Sequence, residues 1–194
     1  MDNVNKVFCL FEQSGTFKNV FRKMGIDAKD YDIKNEYGQT DVIIDLFKEI
    51  ESAYLRQKSI FDEISCNDLI IAFFPCIYFA ESNQMLFRGV SLQQKNMTPC
   101  EKIKSIIHRN QQRSYFYEIL LQLFFIAEDR KLRLIVENPY NANHYLHLNF
   151  PYEPSVIDRD RYLRGDKFTK PTQYFFVNCQ PTNLHTYSPP RATA

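Results

Sequence analysis

The sequence predicts an α/β fold, a mostly parallel sheet with helices on both faces, gathered into one compact domain. Three observations predict it. Short apolar runs rich in strand formers alternate with stretches whose apolar residues recur at helical spacing, the rhythm of βαβ units. No internal repeat or long linker divides the 194 residues, a length within the roughly 50–250 residues of a single domain. A hydrophobic share of 44% beside 24% charged residues is ordinary for a globular chain and excludes wholesale disorder. The domain is expected to occupy residues 1–180, with 181–194 a frayed tail.

The elements follow in order. Lys6 to Phe11 (KVFCLF) is a compact apolar run suited to a buried strand and ends at Glu12-Gln13-Ser14-Gly15. Phe17, Val20, Phe21 and Met24 then recur at helical spacing, with Gly25 placed to stop the helix. Ile26 to Ile33 reads as a second strand ending in acid. Ile43, Leu46, Phe47, Ile50 and Tyr54 fit one helical face that Thr40 or Asp41 is placed to cap. Asp68 to Phe74 (DLIIAFF) is the clearest buried strand, stopped by Pro75. Residues 81–112 read as loop or irregular helix. Gln111 to Asp129 is a strongly apolar helix, with Tyr115, Ile119, Leu120, Leu123, Phe124 and Ala127 on its buried face. Leu132 to Val136 forms the next strand and runs into Glu137-Asn138-Pro139, and Gln173 to Val177 forms the last.

Charge and cysteine usage narrow the class. With 24 Lys+Arg against 23 Asp+Glu the formal net charge is +1, which excludes a charge-only polymer binder but leaves room for a local basic stripe. No apolar run approaches the roughly 18 residues of a membrane span, and MDNVNKVFCLFEQSG lacks the pattern of a signal peptide. A cytoplasmic protein without a membrane partner is expected. Five cysteines without CxxC spacing argue against a disulfide framework and a structural zinc site. The four histidines show no ligand grouping, and His144 and His147 read as surface polar residues. No metal is expected.

In parallel sheets ligands bind beyond the carboxyl ends of the strands, so the residues after each strand are the informative ones. Glu12 to Thr16 joins a strand to a helix N-terminus, where free N–H groups welcome carboxylate or phosphate. With Gly15 alone it lacks the GxGxxG pattern and is read as a loop for a small polar cofactor tail or as an ordinary turn. Asp32 follows the second strand at the spacing of a carboxylate that accepts from ribose hydroxyls. Its other reading is a solvated acid. Cys76 follows Pro75 at the end of a buried strand, where a helix starting beyond it would lower its pKa; a simply buried cysteine is the alternative. Glu137 ends the other strong strand, either facing the same pocket as Cys76 or bonded to the next loop. A thiolate beside a protonatable carboxyl suits addition to an electron-poor ring and protonation of its nitrogen.

At these residues the chain resembles the cytosine-5 DNA methyltransferases, most closely the short phage and bacterial DNA methylase-like members. FEQSGTF (Phe11–Phe17) stands where that family has its cofactor loop, and YDI (Tyr31–Ile33) where an acid grips ribose. DLIIAFFPC (Asp68–Cys76) resembles the strand bearing the Pro-Cys nucleophile, and LIVENP (Leu134–Pro139) the segment of the base-binding glutamate. KPTQYFFVN (Lys170–Asn178) resembles a strand of the short members. The resemblance implies a Rossmann-like S-adenosylmethionine-dependent methyltransferase fold without a separate target-recognition domain. It implies that a cytosine flipped out of DNA receives the methyl group at carbon 5, through a Cys76 adduct at carbon 6 with Glu137 at the base edge. Phe11, Glu12, Ser14, Gly15, Thr16 and Phe17 would hold the methionine end of S-adenosylmethionine, Asp32 and Ile33 the ribose and Asp41, in preference to Asp45 inside the predicted helix, the adenine side, with Pro75 beside them.

Three departures accompany the match. Gln13 and Ser14 stand where such loops are richer in glycine, Phe74 replaces the first proline of Pro-Pro-Cys, and the chain is short. Arg159, Arg161, Arg164, Lys167 and Lys170 are expected either to neutralise DNA phosphates or to form a solvated loop, since Asp158, Asp160 and Asp166 interleave them. A second function is a catalytically silent relative that binds nucleic acid or a protein partner. A third takes Asn138-Pro139-Tyr140 as an eroded motif of amino-methylating enzymes.

Overall fold

Strand β1 (Lys6–Leu10) alternates its side chains between two apolar surroundings, and both faces of the sheet follow from it. A computed structural model of the chain describes residues 4–180, Gly165 and Phe168 excepted, and only the backbone of Arg164. The expected tail, 181–194, lies outside the described residues. The sheet has seven strands in the order β3-β2-β1-β4-β5-β7-β6. The others are β2 (Asp27–Asp32), β3 (Val42–Ile43), β4 (Leu69–Ala72), β5 (Arg133–Pro139), β6 (Val156–Asp158) and β7 (Thr172–Val177). Strands β1 to β5 pair in parallel, and β7 runs antiparallel to both β5 and β6. The chain builds leftward from β1 to β3 and then crosses to β4, so the order reverses between β1 and β4. That is the topological switch point, where loops diverge and leave a crevice.

On one face Phe8, Leu10, Ile70, Ala72, Leu134, Val136 and Phe175 lie under α2 (Leu46–Tyr54) and α4 (Pro99–Asp129). Leu46, Ile50 and Ala53 of α2 and Ile119 to Ala127 of α4 supply the other half of this core. On the opposite face Val7, Cys9, Ala28 and Ile71 form a smaller cluster with Val4, Ile26, Leu69, Phe73 and Phe21, the last from α1 (Thr16–Lys23).

Three helices differ from expectation. Helix α2 starts at Leu46 with Asp45 as its cap, its carboxylate accepting from the N–H groups of Phe47 (3.2 Å) and Lys48 (3.4 Å). Neither Thr40 nor Asp41 caps it, because Val42–Ile43 pairs with β2 instead. Helix α4 is 31 residues long and begins at Pro99 rather than Gln111. Thr98 and Glu101 form a capping box around Pro99 at the first turn. The overlooked signal was Thr-Pro-Cys-Glu. Of the apolar positions predicted along α1, Phe17, Val20 and the C-cap Met24 are exposed, while Lys18 is buried with Asp30 (2.9 Å). Two short helices complete the chain, α3 (Gln84–Phe87) and α5 (Tyr145–Asn149). No helix among the described residues is long and apolar enough to cross a membrane.

Candidate active site at the switch point

The loop after β1 is held by its own side chains. Phe11 adopts φ +61°, a left-handed conformation costing an ordinary residue roughly 1–2 kcal/mol. Its N–H still donates to the carbonyl of Tyr31 (2.9 Å), and its ring lies 6.0 Å from that of Phe47 and 5.2 Å from that of Phe74. The ring expected at the methionine end of a cofactor thus packs under α2. Glu12 is buried, and its Oε1 accepts from Ser14 Oγ (2.7 Å) and the N–H of Phe17 (3.3 Å). The Thr16 N–H donates to Ser14 Oγ (3.2 Å). The α1 N-terminus, expected to welcome an external anion, is met by the Glu12 carboxylate. The other oxygen, Oε2, is buried without a partner. Gly15, at φ +70°, precedes the helix, and a Cβ there would come within 3.1 Å of Lys18 and Asn19 side chains.

Asp32 and Ile33 stand at the end of β2. Asp32 Oδ1 accepts from the N–H of Lys34 (2.8 Å), and Ile33 is 61% exposed. Asp41 has another office than the adenine contact expected of it. Its oxygens meet Lys18 Nζ (3.1 Å) and Arg22 Nη2 (2.8 Å), and its N–H donates to Asp30 Oδ1 (2.7 Å). Burial alone would raise the Asp41 pKa, but the Lys18 hydrogen bond, the Asp30 N–H and Arg22 hold it below the ordinary value. The group closes an ion network between α1 and β2.

Cys76 lies four residues beyond the end of β4, and Glu137 lies inside the neighbouring β5, one residue past its last parallel pair with β4 (Ala72 with Val136) and opposite Tyr174 of β7. Beyond Pro75 the chain turns tightly, the N–H groups of Phe79 (2.9 Å) and Ala80 (3.0 Å) both donating to the Cys76 carbonyl. The turn leads into no helix that lowers the thiol pKa, contrary to expectation. Burial raises it, Lys170 lowers it and Glu137 raises it further. Glu137 is itself shifted up by burial, against the opposing effect of Lys170 and Arg161. Arg161 Nη1 approaches Glu137 Oε1 at 3.7 Å. Asn138 is fully buried and donates through Nδ2 to the carbonyls of Phe74 (2.9 Å) and Glu137 (3.2 Å), tying the two strand ends together.

Glu137 also borders a cavity of about 280 Å³ on the α1 side of the sheet, with Phe17, Phe73, Ile135, Asp158 and Tyr174 among its walls. The Phe17 ring lies 4.4 Å from that of Phe73, so it is a wall of this cavity. The basic stretch divides. Arg161 turns inward to Glu137 and Asp166, Arg159 lies over the Tyr140 ring at 5.6 Å, and Lys167 and Lys170 are exposed. The Arg164 side chain lies outside the described residues.

His144, read from sequence as a surface residue, is fully buried. Its Nδ1 accepts from the N–H of Leu146 (3.3 Å) and faces Gln173 Nε2 at 3.3 Å. Burial pushes its pKa down to about 4. Among the described residues no cluster of His, Cys, Asp and Glu is grouped to hold a metal. The sequence offered Arg161 and Lys170 as phosphate contacts or a solvated loop and Asn138 as part of the segment after the strand, none of them as a partner of Cys76 or Glu137. Their proximity to Cys76 and Glu137 arises from β7 returning beside β5, which local pattern does not display. Comparison with protein-family models and with curated proteins gives no match to this chain.

Proposed function

We propose that this chain is an S-adenosylmethionine-dependent, DNA methyltransferase-like protein that methylates carbon 5 of a flipped cytosine. The carrying observation is a thiol just beyond β4 and a carboxyl near the end of the adjacent β5, each raised chiefly by its own burial and both under the influence of Lys170. The strand order supports a Rossmann-like reading, since it is the doubly wound order 3-2-1-4-5-6 with one reversed strand inserted before the last. A cytoplasmic, phage- or bacterially encoded setting accords with it.

Two features fit the cofactor. The orphaned Glu12 Oε2 calls for a donor such as the ammonium of an amino-acid group, and Asp32 beside exposed Ile33 suits a ribose diol. When bound there, the cofactor supplies an electrophilic methyl group.

The chain's own residues set the proton inventory. Burial favours the protonated form of Glu137, and in that form the carboxyl can donate to ring N3 of a cytosine, drawing electron density from carbon 6. A protonated Glu137 also ceases to oppose ionisation of Cys76, leaving Lys170 to favour the thiolate. Acid at Glu137 and nucleophile at Cys76 are therefore mutually supporting. The thiolate adds to carbon 6, and the bond breaks again once carbon 5 has lost its proton.

Incubation with DNA carrying 5-fluorocytosine and S-adenosylmethionine tests this. Fluorine blocks release from carbon 5, so a denaturation-resistant adduct is expected and should vanish in Cys76→Ala. An adduct of equal yield in the variant would overturn the assignment. One observation favours the silent relative as a second reading: Glu12 already meets the α1 N-terminus and Phe11 is packed inward. Calorimetric titration with S-adenosylmethionine separates the two, since the silent relative gives no heat at millimolar cofactor.

A further inference from the structure

Arg109 and Arg113 sit one helical turn apart on α4, so they share a face. Phe87 of α3 lies beneath both guanidinium groups, 5.2 Å from Arg109 and 4.2 Å from Arg113. Tyr78 lies 5.2 Å from Arg109, and Tyr145 4.5 Å from Arg113. Both side chains are half-buried, and Arg109 Nε is buried without an acceptor. Arg113 donates to Asn110 Oδ1 (2.6 Å), a neutral partner. Among the described residues neither arginine meets a carboxylate, whereas Arg22, Arg56, Arg130 and Arg161 each do.

Two cations drawn partly out of water without a counter-ion are costly. Ring contacts of this type hold the guanidinium planes in place but leave the charges unneutralised. A planar fork with unused N–H groups matches the oxygens of a phosphate. The position is also telling. Tyr78 is two residues past Cys76, and the Tyr145 N–H donates to the Phe79 carbonyl at 3.0 Å. The pair thus borders the segment that carries the thiol.

We infer that Arg109 and Arg113, framed by Tyr78, Phe87 and Tyr145, bind the phosphodiester backbone of the nucleic acid whose base is presented to Cys76. This deepens, and rests on, the nucleic-acid reading of the Cys76 site. A strand is favoured over free phosphate because the surrounding aromatic rings are also platforms on which bases stack. The charge here is accordingly displaced from the Arg159–Lys170 stretch, where Arg161 is already paired.

Fluorescence anisotropy with a short DNA duplex, over a series of salt concentrations, tests the inference. The double variant R109Q/R113Q should bind about tenfold or more weakly, with a salt slope smaller by about two. R109K/R113K should recover part of the affinity, which guards against a folding artefact, and thermal melting of each variant checks the fold. Competition by inorganic phosphate at concentrations matching its ionic strength alone is expected to be slight; strong competition with no preference for DNA would overturn the strand in favour of free phosphate. Unchanged affinity and slope in R109Q/R113Q, or no DNA binding by the unaltered protein, would overturn the inference. Adduct formation with 5-fluorocytosine DNA is scored in parallel. Arginine-dependent binding without adduct removes the methyl-transfer reading alone, and adduct with arginine-independent binding removes the phosphate site alone.

Discussion

The two faces of the sheet are finished differently. The face under α2 and α4 is sealed by stacked and edge-on rings, with Phe47, Phe74, Phe116 and Phe124 in close mutual or neighbouring contact. Among the described residues the face under α1 carries a smaller cluster around β1, β2 and β4, and Ile135, Tyr174 and Phe176 line the cavity beside Glu137. One face makes stability. The other leaves room for chemistry, because a carboxyl in a partly dry, open trough has a shifted pKa and remains reachable.

Substitutions should expose that asymmetry. Phe124→Ala, in the sealed core, is expected to cost about 3–5 kcal/mol in denaturant unfolding. Should it cost no more than a residue of the open face, the contrast between faces is wrong. His144 gives the next effect. Its folded pKa of about 4 lies below the unfolded value of 6.5, so the unfolded state takes up a proton first as pH falls. Stability present above pH 6.5 should decline by about 3 kcal/mol down to pH 4. His144→Asn, which retains a cap for the Leu146 N–H, should flatten that stretch of the stability profile. Phe176→Ala, on the open face, should cost only about 1 kcal/mol. A loss comparable to that of Phe124→Ala would show this face to be sealed by something further.

Glu137→Gln sharpens the comparison from the functional side. A carboxyl with a raised folded pKa loses stability as pH rises from its unfolded value through the folded one. The variant should therefore melt higher than the parent at neutral pH while losing the adduct. Lys170→Gln is expected to have the smallest effect, slowing alkylation of Cys76 at fixed pH a few-fold, since Lys170 favours the thiolate. Cys66 and Cys100 are exposed, so peptide mapping must assign the alkylated residue.

Much of the frame is legible because β1, β4 and β5 are continuous apolar runs long enough to be buried strands. Their boundaries were readable to within a few residues. The short strands β3 and β6 were not, because two or three residues carry no periodicity of their own and exist only by pairing with β2 and β7. The first half of α4 escaped because it buries none of its residues and even Ile103 and Ile107 are exposed, so no apolar core face marks it, although Thr98, Pro99 and Glu101 announce its start. At the site, Cys76 and Glu137 stood out as strand-end residues. The inward turn of Phe11 and the engagement of Asp41 by Lys18 did not, since each depends on what a neighbouring element presents.

Sequence alone determined the alternation of strand and helix, the burial of β1, β4 and β5, and the placing of a thiol and an acid toward the carboxyl ends of two of these strands. Those are local facts, set by side-chain hydrophobicity and turn chemistry along a few residues. Tertiary structure decided the reversed strand beside β5, the partners of Glu12 and Asp41, the burial of His144 and the meeting of Arg109 and Arg113 with three rings. Each of these joins groups distant in the chain, and such contacts form only where packing of the whole sheet and its helices brings them within a few ångströms.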